Sequence, residues 1–329
     1  TVTGARKAIV EAIPVSLKKA ISAGIGLFIA LIGFSNAGIV IGQSDGAATA
    51  VDLAAFTKPS TILALVGLII ITILVIQKVR GAIFIGMILT AVIGNVCQFA
   101  FGIEMGITPP TSWVPHVDFS MFGQCFVGFG ELFSAPIASI IAVLITLLMV
   151  DMFDTIGTLI GAADKAGYLD ENGKLPNIKR ALLPDAIATT AGSVLGTSTA
   201  TVFVESSAGV AAGGKTGLAS VVTAILFIVA LFFTDLFAVI PSAATAPALI
   251  FVGYLMMKPV MKIDFEDPTE GIPAFITIMV MPFSYSISKG IAFGVISFVF
   301  CKLFSKKAKD VSIITWILAA VFVAYFVFE

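Results

Sequence analysis

The chain has 329 residues, of which 58% are hydrophobic and only 12% charged, and its formal net charge is -1. That charged share is about half of what an ordinary soluble domain carries, which excludes a water-soluble fold and leaves lipid as the solvent. No basic run with interleaved aromatics is present, so nucleic acid is not an expected partner.

The opening residues, TVTGARKAIVEAIP, contain no apolar run suited to a cleavable signal. They lack an initiator Met and read as a connecting segment, so the chain is expected to be a piece of a longer protein. A spanning helix needs roughly 20 mostly apolar residues. In chain order such stretches cover 20–42, 61–77, 82–102, 136–161, 216–240, 242–257, 269–287 and 290–304. A weaker one covers 181–196, a discontinuous crossing covers 197–213, and 311–328 closes the chain. Cys97, Cys125 and Cys301 have no CxxC spacing and read as packing residues. His116 lies in a Pro-rich loop without a partner at ligand spacing, so neither a metal nor another cofactor is expected.

If 20–42 runs outward and each later span alternates, then of the 19 Lys and Arg residues all but Lys58 and Lys289 fall on one side. Such a bias marks the cytoplasmic face and predicts a multi-pass protein of the cell membrane. Two weak self-similarities accompany it. AIP (12–14) with GIGLFIALIG (24–33) resembles VIP (239–241) with ALIFVGYLM (248–256), and VRGAIFIGMILTAVIG (79–94) resembles ISKGIAFGVISFVFCK (287–302). The charge-derived orientations of the paired segments are opposite, the mark of an inverted repeat in an alternating-access transporter.

Carboxylates inside spans are costly and ask for a reason. In LLMVDMFDTIGTLIG, the residues Asp151, Asp154 and Thr158 share one helical face, and Gly157 and Gly161 allow a neighbouring helix to approach. Asp154 is the functional candidate, whereas Asp151 suits a structural hydrogen bond between helices. Asp185, after Pro184 in LLPDAIATTAG, suits a cap or interfacial charge as well as a functional role. Next, Thr197–Val204 is rich in β-branched and hydroxyl residues and predicts an extended strand. From Glu205 the small residues Ser206, Ser207, Ala208 and Gly209 predict a short helix whose free N–H groups face a cavity. Gly209–Thr216 (GVAAGGKT) matches a phosphate-binding loop, G-x-x-x-x-G-K-[ST]. The apolar helix that follows leaves no room for a soluble nucleotide-binding domain, so the glycines are read as packing residues.

At these residues the sequence resembles the adenine/guanine/hypoxanthine permeases of the nucleobase–cation symporter (xanthine/uracil permease) superfamily. The segments that carry the resemblance are AIPVSLKKAISAGIGLFIALIGFSNAGIV and DMFDTIGTLIGAADKAGYLDENGKLPNIKRALLPDAIATTAGSVLGTSTATVFVESSAGVAAGGKTGL. The resemblance implies an all-α polytopic membrane protein, part of a 7+7 inverted-repeat fold with core and gate domains, in which a short strand leads into a half-helix. It assigns 1–103 to gate helices of the first repeat (the fifth to seventh) and 104–135 to an external connecting segment. Residues 136–240 become core helices of the second repeat (the eighth to eleventh), 241–304 its gate helices, and 305–329 a C-terminal hydrophobic segment. The start falls just before the family's fifth helix, so the first core helices, with the partner strand and half-helix, are expected upstream.

Carried over by motif are Asp154, Glu205 and Asp185. The candidate substrate-binding residues are Glu205, Asp154, Ser206, Ser207 and Thr201, and the proton-coupling or supporting residues are Asp154, Asp185 and Asp151. A carboxylate accepts the ring N–H donors of a purine, while half-helix N–H groups donate to its carbonyl oxygen. Glu205 is therefore expected to anchor the base and Asp154 to carry the coupling proton, with the exchanged assignment as the alternative, and H⁺ rather than Na⁺ is the expected ion. The expected activity is import of hypoxanthine, guanine or adenine, not catalysis, and a homodimer is the assembly considered. The competing readings are a same-fold transporter of uracil, xanthine or an inorganic anion, and a non-transporting membrane fragment. Glu205 opposes the anion reading, because a glutamate at a half-helix N-terminus repels an anion.

Overall fold

The computed structural model describes residues 5–42, 51–53, 56–107, 119–128, 175–203, 206–214, 216–233 and 239–328. Within the intervening stretch it describes 140, 147–148, 151–152, 155–156, 158–163 and 166–170. The chain is an all-α polytopic membrane protein. Helices Val15–Asn36, Pro59–Ile76, Ala82–Phe101 and Ile287–Phe304, and the segment Ser242–Lys262, are long and apolar enough to cross a membrane. Shorter apolar helices cover Gly217–Phe232 and Ile313–Val327. The predicted span 20–42 starts five residues early, at Val15, because Lys18 and Lys19 are taken into the first turn as helix formers.

The chain divides into two compact units. The first contains Thr1–Phe28, Asp118–Ser207 and Met256–Glu329. Its framework is the antiparallel pair Pro268–Phe283 and Ile287–Phe304, with Ile313–Phe328 packed on the second of them. The sequence DPTE starts the first helix. Asp267 caps it by accepting from the Thr269 N–H at 2.9 Å, Pro268 occupies the position that needs no donor, and Glu270 lies in the first turn. Gly290 and Gly294 of the second helix face Met281 and Thr277 of the first, so the helices approach closely. Ala20 and Ala23 of helix Val15–Asn36 pack into a core with Ile263, Ala274 and Ile278.

Polar contacts join the ends of these helices. Ser16 donates to Glu270, Lys19 Nζ to the Lys262 carbonyl at 2.7 Å, and Thr315 Oγ1 to the Ala12 carbonyl at 2.8 Å. Lys302 is 5% exposed and reaches Glu270 at 2.6 Å and Thr269 Oγ1 at 2.9 Å, beneath the Phe298 ring. Lys307 meets Asp267 at 3.2 Å. The lysines that the charge bias assigns to one face (Lys18, Lys19, Lys262, Lys302 and Lys307) thus come from distant stretches of sequence to one end of this unit.

The second unit contains Ile29–Val117 and Ala208–Leu255. Helices Pro59–Ile76 and Ala82–Phe101 form its antiparallel hairpin. Only a narrow stripe of each is buried, Thr61, Leu63, Ala64, Gly67 and Ile71 on one and Ala82, Gly86, Thr90 and Gly94 on the other. Gly94 faces Leu63, Thr90 faces Gly67 and Gly86 faces Ile71, a register in which a small residue always meets a larger one. The other faces carry exposed Ile, Phe and Val, as a surface in contact with lipid requires. Asn95 Nδ2 bonds its own helix at the Ala91 carbonyl, 2.8 Å, and the Val239 carbonyl at 3.2 Å.

Where helix Ala82–Phe101 ends, the chain turns through Gly102 and returns along its last turn. The Gln98 side chain accepts from the Met105 and Ile107 N–H groups at 3.2 and 3.0 Å and donates to the Ile107 carbonyl at 2.5 Å. One side-chain amide thereby does the work of a neighbouring strand. The chain's β-structure among the described residues is a single antiparallel pair, Val40–Gly42 with Val51–Leu53. The strand expected at 197–204 is not formed at 197–203, which are neither helix nor ladder. A ladder requires a partner strand, and none of the described residues provides one there.

Candidate functional site

Helix Ile178–Leu195 buries one stripe, Ile178, Leu182, Asp185 and Gly192, and exposes Leu183, Ile187 and Leu195. Pro184 sits inside it and cannot donate a backbone bond to Arg180, which loosens the ladder one residue before the acid. Asp185 is 7% exposed and stands a full two turns past the helix start, so it does not cap. The cap reading is corrected accordingly: the residue at that position is Asn177, which makes no side-chain cap bond.

The described residues between 147 and 163 are helical. Met152, Thr155, Ile156, Thr158 and Ile160 are buried, and Asp151 is half-buried on the same helix. Thr155, at 0% exposure, donates its hydroxyl to Asp185 at 2.8 Å. This contact joins the predicted spans 136–161 and 181–196 through side chains. Sequence reasoning missed Thr155 because only Asp151, Asp154 and Thr158 were read from that helical face. The available signal was its i, i+4 relation to Asp151, which places a hydroxyl one turn along from the first acid. Thr158 donates to the Thr155 carbonyl at 3.2 Å, inside its own helix. Gly161 approaches Ser22 of helix Val15–Asn36 so closely that an added methyl would lie 3.1 Å from the Ser22 hydroxyl. The sequence expectation of a close helix neighbour at Gly161 is met there, while Gly157 lies outside the described residues.

Helix Ile178–Leu195 ends at Gly196, whose φ of +84° is the left-handed conformation that glycine adopts without strain. A side chain at Gly196 would also meet the Met121 carbonyl oxygen at 2.6 Å. The segment that follows folds back on the helix: Thr189 Oγ1 donates to the Ala200 carbonyl at 3.0 Å, and Thr197 lies against Gly192. Thr201 is half-buried in this non-helical stretch. Helix Ser206–Ala211 then begins, with an exposed Ser206 as its first residue and Ser207 as its second. Asp154 and Glu205, the two principal candidates, lie outside the described residues, as does His116.

The phosphate-loop pattern takes a different form from a nucleotide cradle. Its first residues, Gly209 to Ala211, belong to helix Ser206–Ala211, and the Gly214 N–H closes the turn on the Gly209 carbonyl at 3.0 Å. A phosphate loop instead leaves a strand and wraps its free N–H groups around an anion. The helix that follows, Gly217–Phe232, has no buried residue among those described. It is a lipid-type helix, not the first helix of a soluble α/β domain.

A model of the permease family, Xan_ur_permease, matches residues 1–293. The chain is 43% identical over 330 residues to a putative permease of Methanocaldococcus jannaschii, covering 100% of this chain and 72% of that protein. It is 42% identical over 328 residues to a guanine/hypoxanthine permease of Bacillus subtilis, again covering 100% and 72%. An adenine permease of Escherichia coli is 36% identical over 310 residues, covering 94% of this chain and 67% of its own length.

Proposed function

The chain belongs to the Xan_ur_permease family of permeases, and on that premise we propose that it imports purine nucleobases across the cell membrane by secondary active transport. It is a transporter, not an enzyme. The observation that carries the substrate class is the match at 42% identity to a guanine/hypoxanthine permease, over all of this chain and 72% of that protein, supported by the match to an adenine permease. In this reading the coupling ion is H⁺ and the assembly a homodimer. The helices 1–103 and 241–304 serve as gates and 136–240 as core, within a 7+7 inverted repeat. Two observations support the repeat: the hairpins Pro59–Phe101 and Pro268–Phe304 are both antiparallel, and both are closed by small residues facing larger ones.

Glu205, with Ser206, Ser207 and Thr201, anchors the base: its carboxylate accepts ring N–H groups, and the first N–H groups of the short helix donate to the base carbonyl. Asp154 carries the coupling proton. Asp185 is a positioning residue, acting through its bond to Thr155, the next residue in sequence after Asp154. Asp151, one turn earlier, supports the same helix.

The test uses the full-length protein and measures equilibrium binding, exchange and net uptake of hypoxanthine. Glu205→Gln turns one acceptor oxygen into a donor that faces another donor. It should weaken binding by roughly 2–4 kcal/mol, or some tens- to hundreds-fold. Asp154→Asn mimics the protonated acid, so binding and exchange persist while accumulation against a gradient fails. Wild-type binding in Glu205→Gln would falsify the anchor, and normal pH-driven accumulation in Asp154→Asn would remove the proton carrier.

A further inference from the structure

Helix Ile178–Leu195 reaches two other segments of the first unit through side chains one turn apart. Asp185 accepts from Thr155 at 2.8 Å. Thr189, four residues on and therefore on the same face, donates to the Ala200 carbonyl at 3.0 Å. Residues 197–203, which receive that bond, are neither helix nor ladder. A non-helical crossing within a membrane must find its backbone partners inside the protein. Where the stretch leaves the helix, the Thr197 N–H bonds the Gly192 carbonyl at 2.9 Å. Where the short helix begins, the Phe203 carbonyl accepts from the Ser206 N–H at 3.2 Å. Ala200 lies midway between these ends, so the Thr189 hydroxyl holds the middle of the stretch against the helix. The exposed neighbour Thr190 turns its hydroxyl to the Ala186 carbonyl of its own helix at 2.8 Å.

That bond also sets an orientation. The peptide joining Ala200 to Thr201 is trans, so its N–H points opposite to its C=O. With the carbonyl directed at Thr189, the Thr201 N–H is turned away from helix Ile178–Leu195. We propose that Thr189 is a positioning residue for purine binding: its hydroxyl fixes the Ala200–Thr201 peptide and thereby the direction in which Thr201 faces the base. The proposal rests on the reading above that places Thr201 in the base site. Thr189 acts through that peptide, not by contact with the base. Because Asp185 and Thr189 share a face, the helix that carries Thr155 and the stretch that carries Thr201 are held to one common frame.

Equilibrium binding of hypoxanthine to the full-length protein, with thermal unfolding recorded on the same samples, tests this. Thr189→Val keeps the shape of the side chain but removes the donor, and should weaken hypoxanthine affinity about five- to ten-fold. Thr189→Ser retains the hydroxyl and should bind as the wild type does, which separates loss of the hydrogen bond from misfolding. Thr190→Val, one residue away, should also bind normally. Wild-type affinity in Thr189→Val overturns the assignment, and a lowered unfolding temperature beside it would make Thr189 a structural fastener. A loss of affinity shared by Thr189→Ser, or equalled by Thr190→Val, overturns it too, because the packing of the helix and not the hydroxyl would then be at work. Normal binding in Thr189→Val together with weakened binding in Glu205→Gln removes the positioning role and leaves the transport reading intact. A wild type that binds no hypoxanthine overturns both.

Discussion

Glu270 and Asp185 are both carboxylates on helices of the first unit, and their surroundings differ in kind. Glu270 shares a knot with Lys302, Thr269 and Ser16 at the ends of three helices, where a full positive charge sits 2.6 Å away. Asp185 lies deeper within its helix and accepts a hydrogen bond from the buried Thr155 hydroxyl at 2.8 Å. A carboxylate matched by an ammonium acts as a fastener between helix ends. The first arrangement ties helix ends together through charge and the second joins two helices through a hydroxyl, although both look alike in sequence as an acid near the end of an apolar run.

The largest effect should come from breaking the knot. Lys302→Met strands Glu270 beside buried neighbours and should cost about 3–5 kcal/mol, whereas combining it with Glu270→Gln should recover most of the loss. Thermal unfolding of the full-length protein in nanodiscs measures both. Wild-type stability in Lys302→Met would show that the knot fastens nothing.

A smaller effect is expected at the other carboxylate. Thr155→Val removes one donor from Asp185 and should cost about 1–3 kcal/mol, with Thr155→Ser close to wild type. Asp185→Asn preserves volume and an acceptor oxygen, so it should change the pH profile of uptake more than it changes the unfolding temperature. If Asp185→Asn destabilised the protein as severely as Lys302→Met while leaving the pH profile unmoved, Asp185 would be a second fastener and the contrast would dissolve.

The smallest effect belongs to Asp267, on the solvent side of the knot. Its pKa is lowered from 3.8 to about 2, first by the Thr269 backbone N–H, then by the Thr269 hydroxyl, with Lys307 contributing further. A depressed carboxylate pKa stabilises the fold fully above 3.8, and that contribution disappears as pH falls through about 2. Asp267→Ala should therefore flatten the acid limb of the stability profile in that window and leave neutral-pH transport unchanged. An unaltered acid limb would remove the cap from the account.

Long apolar runs made most of the helices legible, because lipid demands backbone satisfaction within each helix whatever its neighbours. The boundary at Val15 was less visible, since Lys18 and Lys19 look like loop residues until their packing is known. The stretch 197–203 was misjudged for the opposite reason: Thr and Val state a preference for extended backbone, but a strand exists only with a partner. Of the site, Asp185 was legible as an unusual acid, whereas its partner was not. Thr155 becomes informative only when two helices distant in sequence are brought side by side. The Glu270–Lys302 pair was equally hidden, because each residue separately reads as a favourable charge at a helix end.

The Gln98 clasp has a consequence for the reach of the connection that leaves helix Ala82–Phe101. Residues 102–107 are pinned against the helix end by three hydrogen bonds from one side chain. Those six residues thereby give up about 20 Å of the length they would span if extended. Replacing Gln98 by an apolar residue of similar size would return that slack, turning a single amide into a length control for everything that follows it.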